Sequence, residues 1–265
     1  IDFVSSHGHT ALHDPSNALT YQIGNLHELS NYLGLKVICD FRAQDVKLGG
    51  QGAPLVPVGE SYLFPEYNTL INLGGFANIT KKINDNLIAY DVCPLNIVFN
   101  QLSSLIELKY DDKGKIALSG KINIELFNCL QSIEYYKLDP PKSLGVEWVS
   151  AIISPIINKF SEVPVEDLLH TFSNHFARQI VDNIKSTDKV LITGGGAYND
   201  YLIQKIRDLT KSIIIIPDSE IIEFKESLIF AFLGVLRNLN INNCYSSVTG
   251  AIKNHSSGNI IIPEI

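Results

Sequence analysis

The sequence predicts an α/β protein with a mixed sheet and helices packed on its faces. Three observations carry this. From about Asn68 the chain reads strand, strand, strand, helix, helix, strand, helix, strand, helix. The first two of those strands are joined by a glycine pair, the signature of a hairpin. Segments with a helical apolar period alternate with short apolar runs that stop at glycine or proline. An antiparallel start separates this order from a purely parallel nucleotide fold.

The first 66 residues are rich in Gly, His and Pro. Phe3 to Ser5 and Lys36 to Phe41 are strand candidates around a helix candidate near Leu26 to Leu33. Gly49-Gly50-Gln51-Gly52-Ala53-Pro54 is a loop, because its glycines permit positive φ and Pro54 ends strand pairing. Leu70 to Leu73, Ala77 to Lys82 and Leu87 to Asp91 are strands, and Asn96 to Leu108 is a helix. The polar, mixed stretch at about 111–163, with Pro140-Pro141 in it, reads as an inserted subdomain. Val165, Leu168, Leu169, Phe172, Phe176, Ile180, Val181 and Ile184 then fall on one face of a helix. Lys189 to Thr193 is a strand closed by three consecutive glycines. Asn199 or Asp200 caps a helix whose inner face is Leu202, Ile203, Ile206 and Leu209. Ser212 to Ile216 is a strand stopped by Pro217. A last helix carries Phe224, Leu228, Ala231, Phe232, Val235 and Leu236 on one face.

Composition excludes several classes of function. Hydrophobic residues make up 45% of the chain, enough to build a core. A formal charge of −7 argues against a nucleic-acid groove or an anionic-membrane binder. The longest apolar run, Leu228 to Leu236, is nine residues, roughly half of a membrane span. Cys39, Cys93, Cys129 and Cys244 form no C-x-x-C, which argues against a disulfide framework or zinc ribbon and for a reducing cytoplasm. The chain opens Ile1-Asp2-Phe3-Val4 with no signal-peptide pattern and contains no methionine; a segment of a longer product is one of the readings this leaves open.

Five motifs carry chemistry, each with a plainer reading beside it. In Asn72-Leu73-Gly74-Gly75-Phe76-Ala77-Asn78 the glycines bare backbone N–H groups that can approach a phosphate; the plainer reading is a tight hairpin. Thr193-Gly194-Gly195-Gly196-Ala197 offers flat backbone to a purine or ribose ahead of a helix N-terminus; the alternative is close strand–helix packing. Asp91 is either a general base or the cap of the next helix. His7, His9 and His13 have a spacing that invites a metal, but Asp14-Pro15 reads as a turn, so single hydrogen-bonding histidines are favoured and no metal ligand set is assigned. Arg42 suits a carboxylate or sugar oxygen, or pairs with Asp40 or Asp45.

Taken in order these residues resemble the anhydro-N-acetylmuramic acid kinases. The matching strings are Ser6-His7-Gly8-His9-Thr10, Gln22-Ile23-Gly24-Asn25, Asp40-Phe41-Arg42, Gly49-Gly50-Gln51-Gly52-Ala53-Pro54-Leu55-Val56-Pro57 and Asn72 to Asn78. Further matches are Asp91-x-x-Pro94-x-Asn96, Ser119-Gly120-Lys121, Pro141-Lys142-Ser143, Gly194 to Ala197, Glu226 and Val248-Thr249-Gly250-Ala251. The resemblance implies two ribonuclease H-like lobes around a cleft, the actin-like ATPase fold. Residues 1–66, with 240–265 returning to them, would be the N-terminal lobe, and 67–239 the C-terminal lobe.

The resemblance also implies a reaction. ATP, with Mg²⁺, phosphorylates the 6-oxygen of 1,6-anhydro-N-acetylmuramic acid while water opens the anhydro bridge, giving N-acetylmuramic acid 6-phosphate in cell-wall recycling. Asp91 falls where the family has its catalytic base, and Thr10, Arg42 and Glu226 where it contacts the sugar. Gly74, Gly75 and Asn78 fall on a phosphate loop, and Gly194, Gly195 and Gly196 on the adenosine loop. A cytoplasmic homodimer is implied, with no nucleic-acid or membrane partner. Cys93 and Leu95 depart from the glycines that most members carry around Pro94. A first phosphate loop, a G-T-S-x-D-G string, is not in this chain. The first lobe is therefore expected to be incomplete and the 265-residue chain by itself silent, the alternative being a non-catalytic sugar- or nucleotide-binding member.

Overall fold

Residues 1–25, 27–83 and 86–264 are described by the structure, a computed structural model. Among them the strands are β1 (Val4–Ser6), β2 (His9–Asp14), β3 (Leu19–Ile23), β4 (Val37–Cys39), β5 (Thr69–Leu73), β6 (Phe76–Ile83), β7 (Asn86–Pro94), β8 (Lys189–Thr193), β9 (Ile213–Ile215) and β10 (Asn259–Ile261). The chain separates into two compact units, one of residues 1–65, 82–88 and 224–265, the other of 66–81 and 89–223.

In the first unit β4 is central, parallel to β1 and antiparallel to β10. All three residues of β4 are buried, which suits an unbroken apolar run. It is shorter than the expected Lys36 to Phe41, because Asp40 takes a positive φ of 59° and turns the chain out of the sheet. The expected helix near Leu26 runs from His27 to Leu33; Leu26 lies outside the described residues. The stretch His9–Asp14, expected as a turn, is instead a strand paired antiparallel with β3, with a bulge between Thr10 and Leu12. Most of its side chains are exposed, so it carries no apolar alternation for a sequence reading to find.

The core of this unit joins β4, the Val56–Leu63 helix and the Ser219–Asn238 helix through Ile38, Phe41, Val58, Ile229, Phe230 and Leu233. The buried face of the last helix is therefore not the expected one. Phe224, Leu228 and Val235 are exposed, while Lys225, Ile229, Phe230, Leu233 and Leu236 are buried. The helix is apolar around most of its circumference, so its periodicity offers two stripes and only tertiary packing chooses between them. Lys225 is buried because its Nζ donates to Glu60 Oε1 at 2.7 Å.

The second unit holds the five-stranded mixed sheet, ordered β7-β6-β5-β8-β9. β5 and β6 are antiparallel, and β5, β8 and β9 run parallel. The expected helix after β7 is Asn96–Ser104, ending earlier than Leu108. The segment expected as an insertion forms short helices, among them Lys115–Ser119 and Ile124–Gln131, both packed on the Val165–Asp182 helix. That helix is covered on several sides, which is why it buries Thr171, Ser173, His175 and Gln179 as well as its apolar stripe. Asn199 caps the Asp200–Leu209 helix, its side chain accepting from the Leu202 N–H.

His175 has a cost. Its ring packs against Tyr136 at 4.9 Å between centroids, and neither nitrogen has a hydrogen-bond partner among the described residues. Burial pushes its pKa down to about 3. The folded protein thus refuses a proton that the unfolded chain accepts near its ordinary 6.5. Stability is lost as pH falls below that value, by about 1.4 kcal/mol per unit, until the folded value is reached. His175→Leu should flatten this part of the acid limb when urea midpoints are compared between pH ~7 and ~4. Parallel pH profiles for the two proteins would clear His175 of the effect.

Candidate functional site

The Gly74-Gly75 turn joins β5 to β6, with Asn72 paired to Asn78 and Leu73 to Ala77. Its carbonyls face the Asn96–Ser104 helix. Gly75 O accepts from Leu95 N at 2.8 Å and Ile97 N at 3.3 Å, and Gly74 O accepts from Asn96 N at 3.2 Å. In a trans peptide the N–H points opposite the carbonyl, so the N–H groups of Gly75 and Phe76 face away from that helix. A Cβ on Gly75 would meet no heavy atom within 4 Å. Protein packing does not require glycine there, and the space beside it is open to a ligand.

The triple glycine after β8 divides by role. Gly194 has φ +82°, and a Cβ on it would lie 2.7 Å from Asn72 Oδ1 and 2.9 Å from Leu73 backbone. A Cβ on Gly196 would lie 2.7 Å from Leu73 Cβ. These two glycines let β8 close on β5, the packing alternative read from the sequence. At Gly195 the nearest atom to an added Cβ is Asn96 Nδ2, 3.9 Å away. Gly195 lines a cleft of about 530 Å³ together with Asn96, Phe99, Tyr110, Tyr198 and Asn199. Sequence reasoning did not single out the aromatic residues of that cleft, because they belong to no motif and lie far apart along the chain.

Asp91 lies within β7, which continues to Pro94. It does not cap the next helix, whose N-cap Leu95 has no side-chain cap. Instead its Oδ2 accepts from Leu144 N at 2.8 Å, its N–H donates to Lys142 O at 3.2 Å, and its carbonyl accepts from Tyr135 OH at 2.7 Å. Burial raises its pKa, and the Leu144 N–H opposes the rise. A carboxylate held this way is more basic than a solvated one, as a general base requires. Only the matched string Pro141-Lys142-Ser143 hinted that this segment belongs beside Asp91.

In the first unit Arg42 is the centre of a second polar set. Its Nε and Nη2 donate to His7 Nε2 at 3.0 and 2.8 Å, and its Nη1 donates to Gly52 O at 2.7 Å. His7 Nδ1 donates to Gly8 O at 2.8 Å, which leaves Nε2 as the acceptor. Burial, then the charge of Arg42, pushes the His7 pKa down. Arg42 pairs with neither acid suggested by the sequence. Asp45 accepts from Gly52 N at 2.7 Å and Thr249 Oγ1 at 2.7 Å, and Asp40 accepts from Asn259 Nδ2 at 3.0 Å. Glu226, exposed on the last helix, acts electrostatically on both Arg42 and His7. Thr10 is placed by the β2–β3 hairpin opposite Gln22, whose Nε2 donates to its hydroxyl at 3.5 Å. Thr10, Arg42 and Glu226 thus belong to one unit, and Asp91 with the glycine turns to the other. His7, His9 and His13 form no common site: His7 is bound to Arg42 and His13 to Thr20.

A sequence model of the anhydro-N-acetylmuramic acid kinases matches residues 1–263. The chain belongs to the anhydro-N-acetylmuramic acid kinase family. It is 36% identical over 287 residues to the anhydro-N-acetylmuramic acid kinase of Clostridioides difficile (strain 630), an alignment covering 98% of this chain and 74% of the relative. It is 33% identical over 291 residues to that of Bacillus cereus (strain Q1), covering 100% of this chain and 76% of the relative. Among solved structures, the activator of the 2-hydroxyisocaproyl-CoA dehydratase from Clostridium difficile with bound ADPNP matches with a TM-score of 0.44 and 20% identity, over 68% of this chain and 64% of that one. No helix among the described residues of this family member is long and apolar enough to cross a membrane.

The glycine geometry yields a stability test that does not depend on ligands. Gly194→Ala forces a Cβ at positive φ into Leu73 and should cost about 1–3 kcal/mol. Gly195→Ala meets open space and should stay within about ±0.5 kcal/mol of the parent. Urea unfolding of the two variants checks this, and equal losses would mean that the glycines do not differ in role.

Proposed function

We propose that the protein is a cytoplasmic, homodimeric ATP-dependent kinase. It opens the 1,6-anhydro ring of 1,6-anhydro-N-acetylmuramic acid and phosphorylates the 6-oxygen. The observation that carries this reading is Asp91, a half-buried carboxylate with raised pKa, in the unit that also holds two glycine positions open to a ligand. Family membership supplies the substrate class. The proposed fold is the pair of ribonuclease H-like lobes of the actin-like ATPases.

The residues fit a nucleotide. Gly195 and Gly75 are cradles that a side chain would fill, and the cleft beside Gly195 has aromatic walls in Phe99, Tyr110 and Tyr198. ATP supplies the phosphoryl group, and Mg²⁺, a hard cation that keeps much of its water, travels with its phosphate oxygens. Asp91 takes a proton from the water that attacks the anomeric carbon. The bond between that carbon and the bridging 6-oxygen breaks, and the electron pair stays on the 6-oxygen as it is phosphorylated. The N–H groups of Gly75 and Phe76, with Asn78 nearby, orient the phosphates. Arg42 and Thr10 donate hydrogen bonds to the sugar, and Glu226 accepts one. His7 and Gly52 O hold the Arg42 guanidinium in one orientation, so little freedom is lost on binding.

The test is a coupled ADP-release assay with ATP, Mg²⁺ and the anhydro-sugar on the product of the source gene. Sugar-dependent ADP release is expected. Asp91→Asn should lower turnover by about 10² or more with little change in sugar affinity, the scale of general-base loss. Near-normal turnover in that variant would reject the role of Asp91, and ADP release indifferent to the sugar would reject the reading. Gly195→Val should weaken ATP binding about tenfold or more, a loss of roughly 1.4 kcal/mol, and leave sugar binding unchanged. Calorimetry showing equal losses for both ligands would make the loop merely structural.

A further inference from the structure

Cys244 and His255 face each other across an isolated antiparallel bridge. Cys244 N donates to His255 O at 3.1 Å and His255 N to Cys244 O at 3.0 Å. Residues directly opposed in this way project their side chains to the same face. Asp45 arrives there from the Ala43–Lys47 helix, far away in sequence. One candidate ligand atom from each of Asp45, Cys244 and His255 lies within 4.8 Å of the other two, and all three residues are buried.

The polar bookkeeping leaves one atom over. Asp45 is satisfied by Gly52 N and Thr249 Oγ1, and by the Cys244 thiol at 3.0 Å. His255 Nδ1 is 3.1 Å from Lys253 O, a contact it can make only as donor. In the neutral ring this leaves the lone pair on Nε2, which has no hydrogen-bond partner among the described residues and lies 3.6 Å from Asp45 Oδ1. Two acceptor atoms face each other in a buried site at a spacing that holds a cation between them. A carbonyl partner on the far ring nitrogen is also how metal-binding histidines are oriented.

We propose that Asp45, Cys244 and His255 form a buried binding site for a divalent zinc-class cation. Imidazole, thiolate and carboxylate together are a zinc donor set. Binding transfers the Cys244 thiol proton to solvent, so the thiolate and the Asp45 carboxylate carry two negative charges against the cation's two positive ones. No net charge is then buried. Thr249 Oγ1, 2.7 Å from Asp45 Oδ1 and 4.0 Å from Cys244 Sγ, or a water, takes the fourth position of a tetrahedron. Burial and Asp45 hold the free thiol's pKa well up, and the charge of Arg42 works the other way. A bound cation overrides this balance. The site ties the 243–255 segment to the carboxylate that holds Gly52, whose carbonyl holds Arg42. The competing occupant of the gap is a proton on His255 Nε2, and metal content separates the two.

The protein purified without chelator from zinc-supplemented cells should carry about one zinc per chain by elemental analysis. From cobalt-supplemented cells it should show thiolate-to-cobalt charge-transfer absorption in the near ultraviolet. Cys244→Ser, which keeps a donor to Asp45, should abolish that absorption. His255→Gln should leave the metal removable by brief dialysis against chelator, and Cys129→Ser should change nothing. Stoichiometric zinc should also raise the melting temperature of the parent chain and not that of the two site variants. Parent protein without zinc and without the cobalt–thiolate absorption would overturn the proposal in favour of the proton. Full metal retention in Cys244→Ser would overturn the ligand assignment.

Discussion

In the second unit, the two glycine turns that a ligand would meet depend on how closely the chain can approach Leu73. Gly194 and Gly196 press against its backbone and Cβ. Asn96 Nδ2 donates to its carbonyl at 3.0 Å. The next two carbonyls, of Gly74 and Gly75, receive the first N–H groups of the Asn96–Ser104 helix. A helix start normally leaves such donors to water or a side-chain cap. Here the hairpin satisfies them, which explains why this helix needs no capping side chain. The same bonds turn the peptide planes of the hairpin so that its own N–H groups face outward. One convergence thus fixes the strand ends, seats a helix and aims the donors.

The first unit solves the same kind of problem with a carboxylate. Arg42 is half-buried, and burial works against its charge. It is kept in place by acceptors that are themselves pinned: Gly52 O through the Gly52 N–H on Asp45, and His7 through its Nδ1–H on Gly8 O. The guanidinium is therefore oriented by neutral acceptors and not by a carboxylate, and its charge is not cancelled at contact distance. A directly paired arginine would have to break an ion pair before meeting an anionic or polyhydroxylic ligand. Glu226, exposed on its helix, tempers the local field without consuming that fork.

How far the sequence could be read follows from the same physics. The mixed sheet, the Gly74-Gly75 hairpin and the long amphipathic helix were legible because each writes a periodic or steric signature into neighbouring residues. The β2–β3 hairpin was not, since most side chains of β2 are exposed and a bulge breaks its alternation. The inner face of the last helix was misread because burial there is decided by the Lys225–Glu60 pair and by Phe41, which are remote in sequence. The plainer alternative for Arg42, a pair with Asp40 or Asp45, fails for a related reason. Asp40 and Asp45 are near it along the chain, but a positive φ at Asp40 and a helix at Asp45 send both carboxylates elsewhere.

The residues around Asp91 show what local reading cannot supply. A carboxylate becomes a base for water only if its surroundings withhold solvent without neutralising it. Here the withholding is done by Tyr135 and the Lys142–Leu144 segment, some fifty residues along the chain. Leu144 contributes a single backbone N–H to one oxygen of the carboxylate, enough to fix its rotation. Tyr135 spends its hydroxyl on the Asp91 carbonyl and not on the carboxylate. Lys142 lies over the rings of Tyr90 and Tyr135 at 5.9 and 4.9 Å. Its charge is held by ring faces and by Tyr135 O at 3.3 Å. Had that ammonium bonded the carboxylate directly, it would have lowered the Asp91 pKa and removed the basicity that burial confers. The same short segment therefore desolvates the acid, orients it, and keeps the Lys142 ammonium occupied with aromatic partners.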